Sequence, residues 1–201
     1  MELTPQKTAL IAVHGQGDII GAEGAFADFF HEQVVSRDVV GKVAGLLESA
    51  RGAGATVVYT RIAFEPDYSN LVANSPLLKM VLQRENLKDG ARLTEIIDPL
   101  APTADDVVIT HQRVGGFVGE LTDVLEQRGI DTVLFAGVAT NVSVESSARA
   151  ASDLGYRVVI VEDACSTATP EAHEASINSL GLLADITVSK DITWTVAEQP
   201  A

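Results

Sequence analysis

Cysteine occurs once in this chain, at Cys165. That excludes an internal disulfide framework and fits a reducing compartment, so a cytoplasmic location is expected. Basic residues are scarce as well: 14 Lys and Arg stand against 28 Asp and Glu, a formal charge of −14. Such a field repels nucleic acid and anionic membranes, and neither is expected as a partner. It leaves room for a small anionic substrate, because a local site can differ from the global field. No apolar run reaches the roughly 20 residues that a membrane span needs. The opening MELTPQKTALIAV carries an acid early and runs straight into a strand pattern, which is not the layout of a signal peptide. No two of the four histidines have metal-ligand spacing and no Cys/His cluster exists, so no zinc site is expected. The stretch GQGDIIG (Gly15–Gly21) matches neither the dinucleotide nor the P-loop pattern; it reads as a flexible loop, and no cofactor is expected. Repeats, low-complexity tracts and linkers are lacking too. The 201 residues read as one domain, 1–201, large enough to bury a core without staples.

What is there is an alternation. Apolar runs at Thr8–Val13, Ala55–Arg61, Asp106–Thr110, Thr132–Gly137, Arg157–Asp163 and Asp185–Lys190 read as strands. Helical stretches are expected at Val34–Arg51, Ser75–Gln83, Gly119–Arg128, Val142–Leu154 and Pro170–Leu183, several closed by glycine or opened by proline. Ile62–Asn74 reads as a loop, Leu87–Leu100 as a polar connection, and the tail after Asp191 as irregular. The pattern predicts an α/β fold: three layers, α/β/α, with a six-stranded, mostly parallel sheet. In such sheets, sites gather beyond the carboxyl ends of the strands. That rule selects His14, Arg61, His111, Thr140, Asn141, Ser143 and Asp163.

Two of the four histidines, His14 and His111, come directly after a strand, and Ser143 falls in the first turn of a helix after another. Serine needs an adjacent base to become a nucleophile, and histidine is the usual one, with an ordinary pKa of about 6.5. The helix N-terminus at Ser143 offers free N–H groups to an anionic intermediate. Taken singly, each residue is more often an ordinary loop or cap residue; the combination is what carries weight. His31 and His173 read as surface or packing residues. Cys165 reads as a buried small hydrophobe sooner than as a reactive thiol. Phe64, Phe117 and Trp194 fill core by default or line a pocket.

The chain resembles the isochorismatase-like cysteine hydrolases over nearly its full length. The most specific segment is LFAGVATNVSVESSARAASDLGYRVVIVEDAC, and ALIAVHGQGD, VVITHQRVGGF and EAHEASINSLGLLADI extend the resemblance. The resemblance implies a strand-end Asp, Lys and Cys, with the thiolate attacking a carbonyl and the acid moving its proton. This sequence departs at all three places: His14 stands for the Asp, His111 for the Lys and Ser143 for the Cys. The framing residues Gln16, Asp18, Gly137, Thr140 and Phe117 are kept. The resemblance further implies a cis peptide between Val138 and Ala139, with the N–H groups of Ala139 and Ser143 forming an oxyanion hole. It also implies a homodimer or homotetramer.

Three readings follow. The first is a small-molecule hydrolase cutting an amide, carbamoyl or ester bond, with catalytic His14, His111 and Ser143 and substrate contacts from Gln16, Asp18, Phe64, Phe117 and Thr140. Asp18 is then the nearest candidate, by sequence, for a carboxylate partner to His14. The second is noncovalent acid/base chemistry in the same pocket: vinyl-ether hydrolysis, hydration, elimination or isomerisation. The third is a noncatalytic binding protein on the same fold. Replacement of the three positions by residues that all retain proton-transfer or nucleophilic chemistry favours exchanged over lost function.

Overall fold

The apolar runs build a single parallel sheet. In the computed structural model, which describes residues 1–195, its strands are β2 (Thr8–Val13), β3 (Thr56–Ile62), β4 (Val107–His111), β5 (Thr132–Val138), β6 (Arg157–Ser166) and β7 (Asp185–Thr187). Their order is β4-β3-β2-β5-β6-β7, with every neighbouring pair parallel. Every residue of β2 and β5 is buried, as central strands covered on both faces require. A cluster containing Val43, Leu46 and Leu47 of α3 (Val39–Ala53) covers one face of the sheet. Leu121 and Leu125 of α5 (Gly119–Gln127), Ala148 and Ala151 of α6 (Glu145–Asp153) and Leu180 of α7 (Pro170–Leu180) belong to the cluster on the other. Three layers result.

Chain order reverses at β2. From there β3 and β4 extend the sheet one way, while β5, β6 and β7 extend it the other. The loops leaving β2 and β5 diverge at this point, which opens a crevice at their carboxyl ends. Val13 pairs with Gly137 there. Gly137 has φ +123°, and a Cβ at that position would meet the Val13 carbonyl oxygen at 2.2 Å, so only glycine fits.

Local differences from the sequence reading have physical causes. The single helix expected over Val34–Arg51 is two, α2 (Ala27–Ser36) and α3, because Asp38 turns left-handed at φ +52°. Val35 is consequently solvent-facing instead of core. The supposed flexible loop at Gly15–Gly21 holds a short buried helix, α1 (Gly17–Ile20). The polar connection Leu87–Leu100 contains two 3₁₀ turns and buries Leu87, Thr94 and Leu100. The segment at Ser75 is α4 (Pro76–Arg84), capped by the Ser75 hydroxyl, which accepts from the Leu78 N–H. β6 runs on through a bulge to Ser166, so Asp163 and Cys165 lie within it. β7 stops at Thr187 and gives way to a 3₁₀ turn. Part of the tail is ordered: β8 (Thr193–Trp194) pairs in parallel with β1 (Glu2–Leu3). Beyond residue 195 the expected irregular tail lies outside the described residues. Among those residues, no helix is long and apolar enough to cross a membrane.

Candidate active site

The crevice between β2 and β5 holds the two strand-end histidines. His14 follows β2 directly and takes the left-handed conformation, φ +50°, anchored by its N–H donating to the Thr60 carbonyl at 3.0 Å. For a non-glycine residue that conformation costs about 1–3 kcal/mol and recurs at functional sites. His111 is the last residue of β4, paired with Ile62 of β3. The two side chains, 97 positions apart, meet with Nε2 to Nε2 at 3.0 Å. Their rings are roughly parallel, at 28°, with centroids 5.1 Å apart. Both residues are 3% exposed. Gly116 makes the close packing possible, since a Cβ there would sit 2.8 Å from His111 Nε2.

Burial sets the charge of this pair. It pushes His14 well below the ordinary histidine value, and the proximity of His111 pushes it in the same direction. His111 falls to about 4 for the same primary reason, burial, with the Arg113 backbone giving a partial counterweight. His111 Nδ1 is a buried nitrogen without a hydrogen-bond partner. At neutral pH both rings are therefore uncharged. An Nε2–Nε2 hydrogen bond between neutral rings needs one donor and one acceptor, so the rings hold opposite tautomers. Only Nδ1 of His14 is then left to serve the cavity.

That cavity encloses about 460 Å³ of atom-free space, part of it open to solvent. His14, Val138, Ala139 and Ser143 line one side. Ile19 of α1, Phe26 and Phe30 at α2, and Leu78 and Val81 of α4 line the other. The Val138–Ala139 peptide is cis. Ser143 sits in a π-helical turn, Thr140–Val144, that precedes α6, and is 6% exposed. Among the described residues, Ser143 is not hydrogen-bonded to either histidine.

Several expected substrate contacts are engaged elsewhere. The Gln16 amide donates to the carbonyls of Ile62 and Thr94 at 2.9 and 2.6 Å and accepts from the Ile62 N–H at 2.8 Å. Asp18 accepts from the Leu87 N–H at 3.0 Å, the Thr94 hydroxyl at 3.2 Å and the Ala25 N–H at 3.4 Å. Both carry the α1 loop and the Leu87–Leu100 segment, and Asp18 is not the partner of His14; His111 is. Phe64 is fully buried beside Tyr68. Phe117 packs on Phe135 and Tyr156. The Thr140 hydroxyl is fully buried 2.8 Å from His173 Nδ1. None of the five lines the cavity.

His173, expected at the surface or in packing, supports the serine turn from behind. Arg37 donates to its Nε2 at 3.0 Å and also to the carbonyls of Glu162 and Cys165. Nε2 is thus an acceptor, and the Nδ1–H donates to Thr140. The Ser176 hydroxyl donates its one proton to the Glu145 carboxylate at 2.6 Å, with the Thr140 carbonyl a longer contact at 3.3 Å. Capping signals at Thr169–Pro170 announce α7, but only the fold shows which turn it reaches. Cys165 is fully buried, and burial pushes its thiol up to about 12, so it packs as a hydrophobe. Among the described residues no three His, Cys, Asp or Glu side chains cluster as metal ligands would.

A family model described as the isochorismatase domain matches residues 8–191. An uncharacterized isochorismatase family protein of Escherichia coli O157:H7 is 33% identical over 184 residues, 90% of each chain. The ureidoacrylate amidohydrolase of Acinetobacter baylyi is 33% identical over 90% of this chain and 79% of its own. Among solved structures, a cysteine hydrolase from Pseudomonas syringae pv. phaseolicola superposes with a TM-score of 0.84 at 26% identity, covering 94% of this chain and 92% of that one. The N-carbamoylsarcosine amidase of Thermoplasma acidophilum gives 0.75 at 26% identity, covering 92% and 98%.

Proposed function

The chain belongs to the isochorismatase family as one of its hydrolases, and from that premise we propose that it cleaves an amide, carbamoyl or ester bond of a small molecule using Ser143, His14 and His111. The observation that carries the reading is the convergence of His14, Ser143 and Ala139 on one cavity, with His111 behind His14. His14 Nδ1 takes the Ser143 hydroxyl proton while Oγ bonds to the carbonyl carbon. The carbonyl oxygen takes the electron pair and rests on the N–H groups of Ala139 and Ser143. The bond to the leaving group then breaks, and that group takes the proton from His14. Water, activated by the same nitrogen, hydrolyses the acyl-serine. Throughout, His14 Nε2–H donates to the His111 Nε2 lone pair. His111 thus fills the place that a carboxylate holds behind the histidine of a serine triad, without adding charge. Homologues that act on ureidoacrylate and N-carbamoylsarcosine support amide or carbamoyl chemistry.

One observation favours a second reading. His14 is bonded to His111 and not to Ser143, an arrangement that suits His14 as a free-standing acid/base on substrate or water. Ser143→Ala and His14→Ala separate the two. Covalent hydrolysis predicts that each abolishes turnover of an amide and ester panel. Noncovalent catalysis predicts a large loss for His14→Ala alone, and near-full activity of Ser143→Ala would sink the covalent mechanism.

A further inference from the structure

Among the described residues, fourteen line the cavity; twelve are apolar, and the two polar ones are His14 and Ser143. We propose that the pocket selects an uncharged substrate whose acyl group is apolar and branched or cyclic, and rejects one carrying a carboxylate. This rests on the hydrolytic reading for which end of the substrate meets Ser143, while the selection for neutrality rests on the wall alone.

The wall is made of aromatic and branched aliphatic side chains: Phe26, Phe30, Ile19, Ile62, Leu78 and Val81. Each methylene buried against such a wall strengthens binding by about fourfold. A carboxylate in the same place loses its hydration and gains no partner. Among the described residues, no Lys or Arg lines the cavity. Arg84 lies 5.5 Å from the centre of the Phe26 ring, but both its terminal nitrogens hold the Asp28 carboxylate. Arg61 pairs with Asp89 and Glu95, and Arg37 with Glu162. Arg113 adjoins the cavity residue Val114, yet it is exposed and not part of the lining. The neutral His14 supplies no positive charge either, and the overall field of −14 opposes an anion further.

The test uses a pair of near-equal size, 3-methylbutanamide and malonamate, in which a carboxylate replaces the isopropyl group. Dissociation constants are measured on the Ser143→Ala protein by calorimetry at pH 7, beside kcat/KM on the unaltered protein. The expected result is at least 100-fold tighter binding of the neutral amide, a preference that Arg113→Ala leaves unchanged and Val114→Lys reduces by tenfold or more. Equal or tighter binding of malonamate, loss of the preference in Arg113→Ala, or no binding of either probe overturns the proposal. Preferential binding of the neutral amide without turnover upholds it and counts against the hydrolytic reading instead.

Discussion

Two histidine clusters lie on either side of the turn that carries Ser143, and they are built on opposite principles. Behind the turn, His173 has both ring nitrogens engaged, one accepting from Arg37 and the other donating to Thr140, and Arg37 is balanced by Glu162. In front of it, His14 and His111 bond to each other, with the Arg113 backbone as a further polar influence on His111. His111 Nδ1 is left without a partner and His14 leaves one nitrogen toward a cavity. A satisfied network fixes a backbone; an incompletely satisfied one keeps a group available for reaction. On the proposed reading, the same side chain serves as a brace in one cluster and as a base in the other.

The largest expected effect comes from breaking the front pair at its cavity end. His14→Ala should lower kcat/KM by about 10³-fold, within the range that general acid–base groups supply, with the fold retained by circular dichroism. Acid should come next. Both folded pKa values lie below the unfolded value of about 6.5, so the unfolded chain binds more protons between them. Stability is full above that value and falls as pH drops toward the folded value of about 4 for His111, by roughly 3 kcal/mol for that residue. Urea titrations at pH 7 and pH 4.5, compared with the same pair on His111→Phe, measure this loss; the variant should lack the share of His111 and keep that of His14, which burial alone still holds low. On activity, His111→Phe should cost about 10²-fold and move the acid limb of kcat/KM upward, because His111 is one of the two causes holding His14 low. The smallest effect should come from behind. His173→Phe leaves the buried Thr140 hydroxyl without its ring partner and removes one of several Arg37 contacts, for about 1–3 kcal/mol of stability in denaturant titration. Its acid limb should stay where it is.

Much of this comparison could be read from the sequence. The six apolar runs and the rule that sites gather at strand ends put His14, His111 and Ser143 on one short list, because strand burial leaves a strong periodic signal; which of their side chains meet is decided by tertiary packing. Partner choice left no such signal. Gln16 and Asp18 look like site residues by position, yet their side chains hold backbone groups of Ile62, Leu87 and Thr94, dozens of residues away. His173 sits in an ordinary amphipathic helix, and only the docking of α7 against the serine turn gives it a role. The break at Asp38 was hidden for a local reason: helical periodicity resumes on both sides of one left-handed residue.

The most direct test is nitrogen NMR of ¹⁵N-histidine-labelled protein at pH 7, with His14 and His111 assigned from single substitutions. The account predicts two neutral rings in opposite tautomers, with His14 protonated at Nε2 and bare at Nδ1, and His111 the reverse. A charged ring in the pair, or a His14 that carries its proton on Nδ1, would contradict it.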